Sequence, residues 1–253
     1  MESVGKVDFV VAGAQKGGTT ALDEYLREHP ELSLPKRKEL HFFDTDRYFE
    51  KEPVDYGPYH AAFSRGPSHR LLGEVTPAYL YWPTAPERIA RYNPAMKLIV
   101  VLRNPVTRAF SQWNMARQTG REWLSFLDAM KAEPERIRTM PLEKAKRYTY
   151  VERGFYAQQL KRLWRYFPRE QTLIFKSEDL LAAPAAVLAR IADFLDIAPF
   201  PPTARKSAHA RDYDTAMTAE ERRYLVKIFE REIRELEALL GWDCASWLAD
   251  SKQ

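Results

Sequence analysis

Lys16 lies in a glycine-bearing loop near the start of the chain, where a lysine can neutralise a bound phosphate. Residues 7–13 (VDFVVAG) are typical of a buried strand, the loop GAQKGGTT spans 13–20, and a helix is predicted directly after it. This order of elements aims backbone N–H groups and a helix N-terminus at an anion. Nucleotide triphosphatases carry G-x-x-x-x-G-K-[ST], but here Thr19 occupies the lysine position and Lys16 comes three residues earlier. The loop therefore predicts a phosphate ligand that is not handled as the γ-phosphate of ATP.

The apolar run at 97–102 (KLIVVL) ends in a cation where a triphosphatase would carry a metal ligand. Such enzymes hold Mg²⁺ partly through an aspartate that closes a hydrophobic strand, whereas this run is followed by Arg103. The planar guanidinium group of arginine suits a phosphate dianion. Ser111 lies about two turns into the helix predicted at 105–119 and is a candidate second ligand. These residues predict a phosphate site that uses no metal.

Strand-like runs alternate with helical patterns along the chain, which is typical of a parallel sheet covered by helices. Strands are predicted at 7–12, 70–75, 96–102 and 171–175. Helices are predicted at 19–29, 84–92, 105–119, 155–166, 184–195 and 218–240. We expect a P-loop-type three-layer α/β/α fold with a central parallel sheet of about four to five strands.

The length and composition predict one globular domain over residues 1–253. Hydrophobic residues make up 45% of the chain and charged residues 29%, as in ordinary globular proteins. Two segments, 45–68 and 121–150, are rich in aromatic, proline and charged residues and have weak periodicity. We interpret them as insertions that shape the acceptor site, since such loops often determine substrate choice.

Charge and cysteine content exclude several classes of protein. The net charge is +4 without a long Lys/Arg stripe, so we expect no nucleic-acid partner. Cys244 is the single cysteine, which rules out an internal disulfide and fits a reducing compartment. No run of 18 apolar residues and no signal-peptide pattern is present, so we expect a cytoplasmic protein without a transmembrane segment. No pattern in the sequence predicts the oligomeric state.

Several segments, in order, resemble sulfotransferases that use 3′-phosphoadenosine 5′-phosphosulfate (PAPS). The loop at 13–22 is similar to their 5′-phosphosulfate loop, and 102–105 (LRNP) with Ser111 resembles their 3′-phosphate motif. Residues 38–44 (KELHFFD) resemble the K-E-x-H-F-F-D segment of the heparan-sulfate sulfotransferase branch. Residues 74–79 (EVTPAY) are similar to that branch's E-K-T-P-x-Y.

The resemblance implies transfer of a sulfuryl group from PAPS to an acceptor hydroxyl, with 3′,5′-ADP (PAP) as product and no metal. Lys16 would stabilise the charge that grows on the leaving phosphate, and Glu39, or else His41, would be the general base. These two residues are two positions apart, so on an extended segment they would share one face. Tyr156 would stack near adenine, with a core role as the alternative. The residues assigned to the nucleotide are Gln15, Lys16, Gly17, Gly18, Thr19, Thr20, Arg103, Ser111, Tyr156, Arg205 and Lys206.

Two departures from the heparan-sulfate branch argue for a less anionic acceptor. Val75 replaces the lysine of E-K-T-P, and the cysteine pair near the C-terminus of those enzymes is absent. The acceptor classes left open are small alcohols or phenols, carbohydrates, lipids and carrier-bound natural-product intermediates of a bacterial-type enzyme. Two other functions remain as alternatives, a P-loop nucleotide kinase and a nucleotide-binding module without catalytic activity.

Overall fold

The computed structural model describes residues 5–202 and 215–249 of the chain. Two compact units are distinguished within it. The first comprises Met1–Leu102 with Leu160–Ala210, and the second comprises Arg103–Gln159 with Arg211–Gln253. The phosphate loop, Glu39 and His41 belong to the first unit, whereas Arg103 opens the second.

A single five-stranded parallel sheet forms the centre of the first unit, with strand order β2-β3-β1-β4-β5. The strands are β1 (Phe9–Gly13), β2 (Leu32–Ser33), β3 (Leu71–Val75), β4 (Lys97–Leu102) and β5 (Thr172–Lys176). All strand pairs are parallel, and Val10 of β1 lies opposite Glu74 of β3. Because carboxyl ends of parallel strands meet at one edge, the loops after β1 and β3 lie side by side.

Helices lie between and after these strands. They are α1 (Thr19–Arg27), α2 (Gly57–His60), α3 (Ala85–Tyr92), α4 (Pro105–Gln118), α5 (Phe126–Thr139), α6 (Leu142–Ala145), α7 (Tyr156–Leu163), α8 (Ser177–Ala182), α9 (Pro184–Leu195), α10 (Ala219–Leu240) and α11 (Ala245–Leu248). None of the described helices combines the length and apolar character that a membrane span requires.

The core of the first unit forms where α1, α8 and α9 pack on one face of the sheet. Phe9 and Val11 of β1 and Ile99 of β4 meet Leu22 of α1 and Ile191 of α9 there, and all five side chains are buried. Burial of such side chains stabilises the fold by about 1.5–3 kcal/mol each. The apolar runs of β1 and β4 are buried on both faces, as strands between two helix layers must be.

The second unit is built around α4 and α10. Phe110 and Trp113 of α4 pack against Phe126, the first residue of α5. Phe229 of α10 contacts Phe155. A β-carbon at Gly154 would lie 2.6 Å from the Phe229 ring, so the backbone at Gly154 packs directly on α10.

The predicted three-layer α/β fold is confirmed, and each predicted strand and helix is present with ends shifted by three residues at most. Thr218 caps α10 through a reciprocal pair of contacts with Glu221, an arrangement that a T-x-x-E sequence favours. Helix α5, which occupies 14 residues of segment 121–150, was not predicted. The short strand β2 was also missed. The prediction of one domain over 1–253 stays a prediction.

Candidate active site

The loop after β1 is fixed by contacts with β4. The Ala14 N–H donates to the Val101 carbonyl at 2.8 Å, and the Gly17 N–H donates to the Ala14 carbonyl at 2.9 Å. A β-carbon at Gly17 would lie 2.5 Å from the Val101 oxygen, so only glycine fits against the end of β4. Gly18 has a φ of 100° and immediately precedes α1. The loop therefore leads directly into the N-terminus of α1, and it packs against the sheet at a position where only glycine fits.

Lys16 lies at the turn of this loop, half-buried, in a left-handed backbone conformation with a φ of 67°. A left-handed conformation costs a non-glycine residue roughly 1–2 kcal/mol. Strained positions of this kind cluster at functional sites, where the surrounding structure holds them. Beyond it, Thr19 is buried at the start of α1 and Thr20 is exposed.

The segment 38–44 lies at the end of β3, where the Glu39 N–H donates to the Val75 carbonyl at 3.0 Å. Glu39 and His41 have φ values of 60° and 56°. The expectation of an extended segment was therefore wrong. The two side chains nevertheless meet, with His41 Nε2 3.4 Å from Glu39 Oε2.

Asp44 completes a line of three groups with Glu39 and His41. Its carboxylate lies 2.9 Å from His41 Nδ1, and its side chain is almost fully buried. Because Asp44 is on one side of the imidazole ring and Glu39 on the other, the ring orientation is fixed at both nitrogens. The sequence analysis did not assign Asp44 a role, although it lies within the KELHFFD segment.

This arrangement sets the charge on both candidate bases. The hydrogen bond that His41 donates to Asp44, followed by the one to Glu39, raises the pKa of His41 to about 9 against the opposing effect of burial. Burial disfavours ionisation of Glu39, but the His41 hydrogen bond and the Lys38 charge outweigh it and lower the pKa of Glu39. At neutral pH His41 is an imidazolium and Glu39 a carboxylate. Only Glu39 can accept a proton in that state.

Lys38 links the phosphate loop to Glu39. Its Nζ donates to Thr20 Oγ1 at 3.0 Å and lies 3.5 Å from Glu39 Oε1. A role for this cation was not predicted, and its position beside Glu39 in the KELHFFD segment was the available signal. Lys38 thus places a positive charge between the loop and this carboxylate.

In the second unit, Arg103 precedes α4 and its Nε donates to Thr107 Oγ1 at 3.0 Å. Tyr156 is buried, and its hydroxyl donates to the backbone oxygen of Arg103 at 2.9 Å. Tyr156 therefore holds the backbone at Arg103, and this burial does not favour stacking on adenine, which stays a prediction. Ser111 lies within α4 and is buried.

Two predicted nucleotide contacts, Arg205 and Lys206, lie outside the described residues. Gln15 is half-buried in the loop.

Two aromatic residues of the first insertion are part of the buried core. Tyr59 and Phe63 are buried, and the Tyr59 ring stacks on Phe42 with centroids 4.9 Å apart. In the second insertion Trp123 is 72% exposed. Val75, which occupies the position of the lysine in E-K-T-P, is buried in the core of the first unit and carries no charge.

The described residues fit a nucleotide 5′-phosphate. Gly17 packs directly on the Val101 and Ala14 backbone oxygens, and the N-terminus of α1 follows Gly18, where N–H groups can face an anion. Among residues 5–202 and 215–249, no group of three or more His, Cys, Asp or Glu side chains is arranged to hold a metal ion.

The phosphate loop between β1 and α1 and the parallel sheet behind it define a P-loop-type α/β protein. The chain matches the sulfotransferase domain family over residues 6–213. It therefore belongs to the sulfotransferase family, as predicted, and the comparisons lend no support to the kinase alternative.

Two curated relatives illustrate the similarity. Heparan sulfate glucosamine 3-O-sulfotransferase 6 of Homo sapiens is 36% identical over 190 residues, which are 74% of this chain and 52% of that protein. Heparan sulfate glucosamine 3-O-sulfotransferase 3B1 of Homo sapiens is 34% identical over 188 residues, or 74% of this chain and 45% of that protein. The chain thus spans about half the length of these curated relatives.

A crystal structure of a sulfotransferase from Alicyclobacillus acidocaldarius matches over a larger share of both chains. Its TM-score is 0.82 at 30% identity, and the match covers 97% of this chain and 100% of that one.

Proposed function

We propose that this protein transfers a sulfuryl group from PAPS to an acceptor hydroxyl and releases PAP. The observation that carries the proposal is the position of Lys38, whose ammonium group contacts both Thr20 of the phosphate loop and the carboxylate of Glu39. A donor phosphate on the loop would therefore lie near a carboxylate that can accept a proton. Membership of the sulfotransferase family supports the donor assignment.

The loop residues bind and neutralise the donor. The backbone N–H groups of the loop from Gln15 to Thr20 other than that of Gly17, which donates to the Ala14 carbonyl, would hold the 5′-phosphate at the N-terminus of α1 together with the hydroxyls of Thr19 and Thr20. PAPS supplies the activated sulfuryl group when bound. Lys16 stabilises the negative charge that grows on the phosphate oxygen as its bond to sulfur breaks. A fixed ammonium group provides this stabilisation without a divalent ion.

Glu39 takes the proton of the acceptor hydroxyl as the new bond between oxygen and sulfur forms. His41 is a weaker candidate for the base than the sequence analysis allowed, because it carries a proton at neutral pH. As an imidazolium it instead holds the Glu39 carboxylate in place from 3.4 Å and is itself held by Asp44.

Arg103 and Ser111 are assigned to the 3′-phosphate, with Arg205 and Lys206 as further contacts to the nucleotide. Arg103→Ala should weaken the binding of PAPS far more than that of adenosine 5′-phosphosulfate, since only PAPS has the 3′-phosphate. Calorimetric titration of both nucleotides measures the difference, with Arg121→Ala as a control on an exposed arginine. Equal losses for the two nucleotides would contradict the assignment.

The acceptor is proposed to carry less negative charge than heparan sulfate. The buried Val75 stands where the lysine of E-K-T-P would face an acidic sugar chain, which supports this restriction. Insertions 45–68 and 121–150 are proposed to shape the acceptor site. The single cysteine supports a cytoplasmic, bacterial-type enzyme.

A screen with radiolabelled PAPS tests the activity and finds the acceptor. The acceptors to include are phenols, small alcohols, sugars with and without acidic groups, lipids and carrier-linked hydroxyls. Label should transfer to an acceptor of low charge, and Glu39→Gln should abolish the transfer while retaining PAP binding. PAP binding without transfer to any class would favour the module without catalytic activity.

A further inference from the structure

Glu74, the fourth residue of β3, is a buried carboxylate surrounded by hydroxyl groups. Its side-chain oxygens accept hydrogen bonds from Tyr59 at 2.7 Å, Thr76 at 2.8 Å and Tyr79 at 3.0 Å. Burial raises the pKa of Glu74 to about 7, although the three hydroxyls oppose that rise. A buried carboxylate is costly unless such donors compensate for lost water, which is why all three hydroxyls point inward.

The ionised carboxylate determines which way the Tyr79 hydroxyl points. A carboxylate only accepts hydrogen bonds, so Tyr79 must direct its single proton toward Glu74. The lone pairs of the Tyr79 oxygen then face the Phe42 N–H at 3.1 Å and the Phe43 N–H at 3.5 Å. Tyr79 is 1% exposed, so water does not replace these contacts. One hydroxyl therefore connects β3 to the segment that carries Glu39 and His41.

That segment needs external support, because Glu39 and His41 both have left-handed backbone angles. Two contacts flank these angles. The Glu39 N–H is held by the Val75 carbonyl, and the Phe42 N–H, directly after His41, is held by Tyr79. Loss of the Tyr79 contact would leave the buried Phe42 N–H without a partner. The backbone at His41 could then leave its left-handed conformation.

We propose, on the basis of the sulfotransferase function above, that Tyr79 is a positioning residue that keeps the Glu39 carboxylate and the His41 ring in contact. It acts through the Phe42 N–H and does not touch the substrates.

Tyr59 provides a matched control. Both tyrosines are buried, and both donate to the same oxygen of Glu74. Among the described hydrogen bonds of these two tyrosines, only Tyr79 accepts from the Phe42 and Phe43 N–H groups.

At pH 8, where Glu74 is ionised, Tyr79→Phe should lower kcat roughly 10- to 100-fold, since a displacement near 1 Å costs about that much. Tyr59→Phe should change kcat less than threefold, and PAP affinity should be unchanged in both. Equal kcat losses in the two variants would overturn the proposal.

A titration of His41 tests the same proposal without turnover. In ¹⁵N-histidine NMR spectra, assigned with His41→Asn, the imidazole should titrate near pH 9 in the wild type and in Tyr59→Phe. In Tyr79→Phe its pKa should be lower than in the wild type, because the contribution of Glu39 is lost while the hydrogen bond to Asp44 remains. An unchanged pKa would overturn the positioning role. Absence of sulfuryl transfer by the wild type would instead contradict the proposed function, while the titration would still report on Tyr79.

A second pair of variants covers the case in which Tyr79→Phe does not fold. Glu74→Met removes the acceptor that orients the Tyr79 hydroxyl, and Glu74→Gln restores an acceptor oxygen of the same shape. The glutamine variant should recover most of the kcat that the methionine variant loses. Equal activity in these two variants would contradict the role of the Glu74–Tyr79 hydrogen bond.

Discussion

Lys16, Glu39 and His41 share a left-handed backbone conformation although none of them is glycine. Their side chains are the three that the sequence analysis selected for catalysis. Backbone hydrogen bonds at the carboxyl ends of the strands hold these turns in place. Val101 of β4 accepts from the loop, and Val75 of β3 accepts from the segment 38–44. At the residue scale, the fold thus stabilises backbone angles that bring charged groups to the carboxyl ends of β1 and β3.

Replacement of the Lys16 ammonium group tests the leaving-group role. Lys16→Ala should lower kcat by roughly 10²–10³, as loss of one charge-stabilising donor does in other enzymes. Steady-state kinetics and PAP affinity should be compared with Lys36→Ala, which removes an exposed lysine outside the loop. A kcat within a few-fold of the wild type would exclude the role.

The pH dependence follows from the charges of Glu39 and His41. Because the pKa of Glu39 is lowered, its carboxylate stays ionised below pH 4.5, and activity should not fall on that account until more acidic pH. The pKa of His41 is raised to about 9, so its imidazolium form and the stability it contributes are fully present below pH 6.5 and lost as the pH rises through 9.

Profiles of kcat/KM and of the urea midpoint against pH should therefore both decline near pH 9. His41→Asn should remove that decline. Glu74, whose pKa is about 7, gives a separate titration that persists in the variant. A decline near pH 9 that survives in His41→Asn would show that another group is responsible.

At the scale of elements, the phosphate loop depends on glycine as much as on lysine. A methyl group at Gly17 would overlap the Val101 and Ala14 carbonyl oxygens, at 2.5 and 2.9 Å. Gly17→Ala should therefore reduce stability by about 1–3 kcal/mol and weaken PAP binding. Gly120→Ala measures the cost of left-handed backbone strain alone, because its φ is 66° and no atom lies within 4 Å of the added carbon, and its PAP binding should be unchanged. Urea denaturation and PAP titration distinguish the two, and normal PAP binding by Gly17→Ala would contradict the steric argument.

The elements that could be predicted from the sequence are those with uninterrupted patterns. The β4 run and the capped helix α10 carry such patterns, and both were found. Helix α5 was missed because Pro134 lies inside it and Glu133 occupies a buried position of its apolar stripe. Glu133 is tolerated there because it accepts the Val151 and Glu152 N–H groups, a contact between distant segments that no local pattern contains.

Prediction of the site was limited in the same way, by contacts between residues that are far apart in the chain. The residue types in KELHFFD indicated a base, but the left-handed turns at Glu39 and His41 could not be predicted, because they depend on contacts with β3. The role of Lys38 was missed for a similar reason. Its partner Thr20 lies 18 positions away in the chain. The family was therefore predictable from the motifs, whereas the geometry of this segment required the tertiary contacts.

For the whole molecule, donor binding should be coupled to the stability of the fold. The loop that would hold the phosphate is part of the packing of β1 against β4, so PAP should bind the native chain and not the unfolded one. At a concentration 100 times its Kd, such a ligand adds about 2.7 kcal/mol to the free energy of unfolding. For a chain of this length that corresponds to a rise in Tm of roughly 5–10 °C.

Scanning calorimetry with PAP, with AMP and with each nucleotide plus EDTA measures the coupling. PAP should give a larger shift than AMP at equal concentration because of its 3′-phosphate, and EDTA should leave both shifts unchanged. A shift that appears only with Mg²⁺ would contradict neutralisation by Lys16, since a metal ion would then be supplying the charge.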